Sequence, residues 1–395
     1  MDRERARFLL SPRGQERLAA TENHHRDPLA LQRALRKELP PAEAAAVGEQ
    51  VVLRARARER FGRAFVGWLW TAETLEMAAH PGAAHRRAQR LARSAESVID
   101  GTVGAGVDLS ACAEAGLWAA GFERDEVRAL LAAHNLRGHA SVARADIRRP
   151  PADLARHALL LDPSRRGPDG RRFDPSRFEP SWQTCLALAR SAPLSVVKAP
   201  PGIDRGDVPS DAEVEWVQAG RSLREAALWF GRGTVPGLRR AVVLEADAEL
   251  DSRAPAVPWE ARPLGGVLYD PEPAVTRAGL AAQLAAMLVA WPLDPDVAYL
   301  SAEDFRPTPF ARAFAILDVL DFSLGRLRAH LRRRGWRLGE VLRRRFPLEP
   351  EALRRLCGRV EGEPVAAICT TVAGRRLVIL GRPLATGPGR ETPCR

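Results

Sequence analysis

The apolar pattern from the N-terminus to about residue 80 reads as helical, and beyond it short apolar runs alternate with turns and helical stretches. Leu29 to Leu39 is amphipathic and is broken by Pro40-Pro41, because a proline ring does not fit a helix interior. Ala42 to Phe61, rich in Ala, Arg and Glu, predicts a long helix with its arginines exposed. Trp68, Leu69, Trp70 and Leu75 read as packing residues, with base stacking as the alternative for the two tryptophans. A strand is expected at Val98-Ile99, ending at Asp100, then a helix over Leu109–Ala115 closed by Gly116, then a strand over Leu117–Phe122. A third strand should end near Asp146 and a fourth, in HALLL, just before Asp162. Gln183 to Arg190 suits a helix and Leu194 to Lys198 a fifth strand, followed by strands at Val214–Val217, Ala226–Phe230 and Arg240–Leu244. This alternation predicts an α/β fold.

Downstream, PLGGVLYDPEP is turn-rich, and Thr276 to Trp291 predicts one strong helix. RLRAHLRRRGWRLGEVLRRRF reads as a basic helix followed by a strand, and Pro350–Leu356 as a short helix. Val365–Thr371 and Arg375–Leu380 alternate around Ala373-Gly374, a hairpin signature. The expected organisation is a helical N-terminal region (1–80), an α/β domain (81–245), a connecting region (246–317), a terminal module (318–383) and a tail expected to be disordered (384–395). A chain of 395 residues accommodates two or three domains.

No apolar stretch approaches the length of a membrane span, and the charged start MDRERARFLLSPRG does not read as a secretory signal. The five cysteines are scattered without a C-x-x-C pair, which argues against zinc and a disulfide framework and for a reducing cytoplasm. His24-His25, His134 and His157 show no metal spacing either, so no metal is expected. The net charge of +11 comes almost entirely from arginine, with Lys37 and Lys198 the sole lysines. Such a field attracts polyanions, nucleic acid above all; plain solubility is the alternative.

The stretch VIDGTVGAGVDLSACAEAGLWAAGFE carries the clearest chemistry. Gly104 and Gly106 let the backbone turn sharply and approach a ligand, and Glu123, about 20 residues on, ends the next strand where a carboxylate can bind two ribose hydroxyls. A dinucleotide fingerprint has a third glycine, which is missing here. Acids after successive strands (Glu123, Asp146, Asp162) and a D-P step at Asp162-Pro163 fit an S-adenosylmethionine site better than a nicotinamide one. An ordinary βαβ unit without a ligand is the alternative.

At the level of motifs the chain resembles the bacterial class I methyltransferases that carry a C-terminal THUMP-like domain. Their D-L-G-C-G-x-G-G-D motif corresponds to DGTVGAGVD, their E/D-R-D step to Glu123-Arg124-Asp125, and their D-P-A-R-R-G segment to DPSRRG. VVKAPPGI, REAALWFG and LDPDVAYLSAEDFRPTPFARAF match further blocks, so the resemblance covers nearly everything beyond about residue 50. Thr102 and Val107 stand where that family has motif glycines, and Ser164 and Arg165 replace the proline and aromatic that follow the D-P step in enzymes acting on exocyclic base amines.

The resemblance implies a Rossmann-like seven-stranded methyltransferase domain, a helical N-terminal region and a small α+β THUMP-like domain. It implies S-adenosyl-L-methionine as cofactor and structured RNA, tRNA or rRNA, as substrate. Glu123 would hold the ribose; Asp100, Thr102, Gly104, Gly106 and Asp108 would shape the methionine end; Asp146 would lie near the adenine amine; Asp162, with Pro163, would orient the acceptor. Arg165, Arg166, Arg171 and Arg172 are candidates to clamp phosphates, with a solvated loop as the alternative, and Arg165, Phe173 or Trp182 to stack on a base. Lys198 would contact a phosphate or snorkel at a strand end. The run from Arg326 to Arg345, with Arg332, Arg333 and Arg334 at its centre and Trp336 beside them either stacking or packing, is the expected RNA surface, with an exposed helix face as the alternative. The rival readings are a non-catalytic RNA-binding protein on a decayed methyltransferase fold and a methyltransferase for a protein or small molecule.

Overall fold

The computed structural model describes residues 1–21, 27–165, 174, 177–358 and 361–385. These form two compact units, one of residues 1–213 with 224–237, the other of residues 214–223 with 238–395.

The first unit opens with α1 (Arg3–Leu10), α2 (Pro12–Thr21), α3 (Pro28–Leu35), α4 (Pro41–Phe61) and α5 (Ala72–Met77). Asp2 and Asp27 cap α1 and α3 by accepting main-chain N–H bonds, and Pro41 starts α4, where a missing N–H costs nothing. Leu9, Leu18, Leu31, Leu35, Val47 and Val51 bury one shared core. Leu69, Trp70 and Leu75 are buried as the apolar pattern suggests, and Trp68 packs half-buried against Trp70.

Next come α6 (Pro81–Ala92), β1 (Ser97–Asp100), α7 (Val107–Glu114), β2 (Trp118–Glu123), α8 (Glu126–Asn135), β3 (Ser141–Arg144), β4 (Ala158–Leu161), β5 (Ser164–Arg165), β6 (Phe178–Glu179), α9 (Trp182–Ser191), β7 (Leu194–Ala199), β8 (Glu213–Ala219) and β9 (Ser222–Gly231). Within the first unit the sheet order is β9-β7-β4-β1-β2-β3. β7, β4, β1, β2 and β3 run parallel, and β9 is antiparallel to β7. Parallel strands with helical crossovers put every strand's C-terminal end on one edge, where ligands bind in open α/β sheets. Asp100, Glu123 and Asp162 all lie at or just after such ends.

Most of β8 clusters with the second unit, beside β10 (Arg239–Val243) and β11 (Ala248–Asp251). The remaining elements are β12 (Val267–Pro271), α10 (Pro273–Ala278), α11 (Ala281–Leu288), β13 (Trp291–Asp294), β14 (Val297–Ala302), β15 (Ala311–Asp321), α12 (Leu324–Arg334), β16 (Trp336–Arg344), α13 (Pro350–Cys357), β17 (Glu363–Val372) and β18 (Arg375–Leu384). They build a seven-stranded sheet of order β13-β14-β12-β15-β18-β17-β16, in which only β16 and β17 pair in parallel. Ala373 and Gly374, both with positive φ (47° and 78°), make the two-residue turn of the expected β17–β18 hairpin.

The sequence departs from expectation between residues 246 and 317. Thr276–Trp291 is not one helix: Gly279, at φ +66°, caps α10, α11 follows, and Trp291 already begins β13. VLYD, inside the turn-rich segment, forms most of β12 and pairs with β14 and β15. These residues share one sheet with the terminal module.

Among the described residues, no helix is long and apolar enough to cross a membrane. Cys112, Cys185, Cys357 and Cys369 are free, buried thiols.

Candidate active site

The turn after β1 is built from main-chain bonds to buried carboxylates. Asp100 accepts the N–H of Thr102 at 2.8 Å, and Glu123 Oε2 accepts the N–H of Gly104 at 3.1 Å. Gly104 (φ +57°) and Gly106 (φ +99°) take the left-handed conformation that a side chain disfavours, and a Cβ on Gly106 would sit 2.8 Å from Leu136. Val107, in place of a motif glycine, is buried in the same core as Val103, Leu109 and Leu136.

The E-R-D step has a local logic. Glu123 Oε1 accepts the N–H of Asp125 at 2.9 Å, and the Asp125 side chain caps α8 by accepting the N–H of Arg128. Arg128 then reaches back, its Nε 3.3 Å from Glu123 Oε1 and its NH1 3.0 Å from Glu73 on α5. Asp146 lies two residues beyond β3 and pairs with Arg148, which holds its carboxyl below the usual carboxylate range. An open cavity is lined by Gly104, Glu123, Asp146, Asp162 and, from the N-terminal helical region, Glu73 and Met77. A concavity with a few convergent polar groups is the usual form of a small-molecule site.

Beneath the cavity runs a buried ion network. Arg87, on α6, is paired with both Asp108 and Glu225. Lys198 Nζ, on β7, lies 3.2 Å from Asp108 and 2.5 Å from Asp162. Burial opposes ionisation of Asp108, but Arg87 and Lys198 overcome it and hold the carboxyl at about 2. Asp100 behaves oppositely: burial, then the negative charge of Asp108, push it up to about 8, against the opposing Thr102 N–H bond. Asp100 therefore holds a proton at neutral pH. Unfolded, it ionises near 4, so the folded state binds the extra proton between pH 4 and 8 and loses stability across that window as pH rises. Asp100→Asn should raise stability at neutral pH by on the order of 4 kcal/mol, about three pH units above the unfolded value at about 1.4 kcal/mol each. Thermal melts from pH 4 to 9 test this: the variant's advantage should grow to about pH 8 and then level, and a constant difference would refute the assignment.

Lys198, Pro163 and Trp182 do not line the cavity. Lys198 is only 8% exposed and bound by carboxylates, not on a basic face. Pro163 is buried. Arg165 lies in β5, whose partner is β6, while Arg166, Arg171, Arg172 and Phe173 fall outside the described residues. Trp182 is buried against Phe178 at a ring distance of 5.3 Å, a packing position out of reach of a base. In the second unit, Arg332, Arg333 and Arg334 form the exposed last turn of α12. Arg334 pairs with Asp318 and covers the ring of Trp336, which packs half-buried against the core of this unit. Arg87, Arg128, Glu73 and Glu225 were not singled out from the sequence. Arg87 had a legible signal, a charge on the apolar stripe Ala84–Ala88–Leu91 of α6.

Comparisons with known proteins agree with this geometry. Residues 311–383 match the THUMP domain-like family, and residues 2–57 match a domain of unknown function. An uncharacterized S-adenosylmethionine-dependent methyltransferase of Mycobacterium tuberculosis (strain H37Rv) is 34% identical over 341 residues, covering 83% of this chain and 93% of the relative. The chain belongs to the S-adenosylmethionine-dependent methyltransferases. The crystal structure of a protein of Porphyromonas gingivalis W83 designated a methyltransferase superposes with a TM-score of 0.74 at 21% identity, over 90% of this chain and 98% of that one. The methyltransferase thus has the class I fold, a Rossmann-like α/β domain with a THUMP-like C-terminal domain, and uses S-adenosylmethionine.

Proposed function

We propose that the enzyme methylates structured RNA, tRNA or rRNA, in the cytoplasm, and that the cavity beside Gly104 and Glu123 is its cofactor site. The observation that carries the substrate reading is the arginine surface of α12. Arg328 and Arg332, one helical turn apart, and Arg333 are exposed opposite the buried Leu327 and Leu331. Arg354 and Arg355 add an exposed cationic end to α13. A THUMP-like module, the class of domain associated with structured RNA, supports the same reading, as does the net charge of +11. The free, buried thiols fit a reducing compartment.

The residues at the cavity suit the cofactor. Glu123, at a strand end, is assigned to the two ribose hydroxyls, and Asp146 to the adenine amine. Asp100, Thr102, Gly104, Gly106 and Asp108 are assigned to the methionine end. The cofactor supplies a methyl group already activated on a sulfonium, so the chain's task is positioning. Asp162, with Pro163, orients the acceptor group. Arg165 and Arg166 are assigned to phosphate contacts.

Transfer of a labelled methyl group from S-adenosylmethionine to RNA from a strain lacking the gene tests the reading. Label that stays with protein or small molecules after ribonuclease digestion would sink the RNA assignment. Replacing Arg328, Arg332 and Arg333 with alanine should weaken RNA binding and lower the slope of log K against log salt by about 2 to 3, for three lost phosphate contacts. Anisotropy titrations between low and moderate salt measure it; an unchanged slope would exclude this helix face.

A further inference from the structure

Asp162 is anchored twice. Its main-chain N–H donates to Thr102 Oγ1 at 2.6 Å, and its Oδ2 accepts from Lys198 Nζ at 2.5 Å. The first anchor depends on a hydroxyl where the resembling family has glycine. The second is itself held in place. Lys198 also contacts Asp108, which binds Arg87, which pairs with Glu225. From Glu225 to Asp162 the charges alternate: carboxylate, guanidinium, carboxylate, ammonium, carboxylate. The side chain of Asp162 is 32% exposed, against 9% or less for the other four, so it is the end that reaches the cavity. The five come from separate segments, α6, α7, β7, β9 and the residue after β4.

A lysine stem is costly to order, and an exposed aspartate normally samples several rotamers. Here burial and two carboxylates fix the lysine, and the lysine and a hydroxyl fix the aspartate. We propose that Lys198 and Thr102 are positioning residues for methyl transfer: they lock the Asp162 side chain and main chain so that its remaining oxygen, Oδ1, accepts the hydrogen of the incoming acceptor group. The inference rests on the reading of Asp162 as the acceptor-orienting residue. It also takes Lys198 out of the RNA-contacting set, because an ammonium enclosed by Asp108 and Asp162 is not presented to a phosphate.

The test uses the full chain with Thr102→Val, Thr102→Ser, Lys198→Met and Lys198→Arg. Three quantities are measured: amide exchange at Asp162, cofactor affinity by calorimetry, and the kcat and apparent KM of methyl transfer. The acceptor is an extract of cells lacking the gene, with and without ribonuclease. Thr102→Val should speed exchange of the Asp162 amide and lower kcat at saturating cofactor, each by ~10-fold, with the KM for the acceptor nearly unchanged; Thr102→Ser should restore both. Lys198→Met should lower kcat by on the order of 100-fold, with partial rescue by arginine. If Lys198→Met does not fold, the Thr102 pair decides. Unchanged exchange and kcat in Thr102→Val would overturn the proposal. So would a Lys198→Met variant that raises KM at constant kcat, the signature of a substrate contact. Ribonuclease-resistant methyl acceptance with the Thr102 effects intact would remove RNA as substrate and leave the positioning role standing. A wild type that methylates no fraction would overturn the role of Asp162 and this inference together.

Discussion

Glu123→Ala should weaken S-adenosylmethionine binding by about 100-fold or more, the loss of two charge-assisted hydrogen bonds worth about 3 kcal/mol together. The carboxylate is 7% exposed and already accepts from Gly104 and Asp125 at 3.1 and 2.9 Å, so its position is fixed before any ligand arrives. Pre-ordering of this kind makes a ligand contact strong, because no side-chain entropy is lost on binding. The same bonds complicate the alanine variant, since it also frees the Gly104 N–H and loosens the turn. Glu123→Gln is the milder change: its one oxygen keeps the bond from Gly104 while the bond from Asp125 and the charge are lost, and it should lose only part of the affinity. Calorimetry with thermal melts of all three proteins measures both terms. Unchanged affinity in a folded Glu123→Ala protein would remove Glu123 from the cofactor site.

What could be read from the chain was local. The glycine turn and the Ala373-Gly374 hairpin each depend on a few neighbouring residues whose conformational preferences are strong. The strand ends at Asp100, Glu123 and just before Asp162 were legible for the same reason: an apolar run that stops at a carboxylate marks where the strand ends. The misread helix at Thr276–Trp291 failed because the composition of LAAQLAAMLVAW suits a helix throughout, while Gly279 and Trp291 mark boundaries that only pairing partners reveal. β12 was hidden because five residues among glycines and prolines carry too little pattern. Lys198 was misjudged for a different reason. Its partners Asp108 and Asp162 are 90 and 36 positions away in sequence, and a lone lysine in a basic chain suggests a surface. Trp336 was ambiguous between stacking and packing until β16 turned its ring toward the core of the second unit.

Arg87→Met should destabilise the folded enzyme by about 3–5 kcal/mol, because it leaves Asp108 and Glu225 buried without their guanidinium. Methionine fills much of the same volume, so the loss reports charge rather than a cavity. The pH dependence distinguishes this from a packing defect. Asp108 is held at about 2 in the folded enzyme, below its unfolded value near 4. Its contribution to stability is therefore present above pH 4 and is lost as pH falls through about 2. Without Arg87 that contribution shrinks, so the gap between wild type and variant should be widest at neutral pH and narrow on acidification below pH 4. Denaturant melts at pH 7, 5 and 3.5 measure the trend. A gap that stays constant with pH would mean that Arg87 acts through packing alone, and that the alternating charges from Glu225 to Asp162 do not act as one network. If the gap narrows as expected, Lys198→Met should show the same pH trend, since it removes the other cation that holds Asp108.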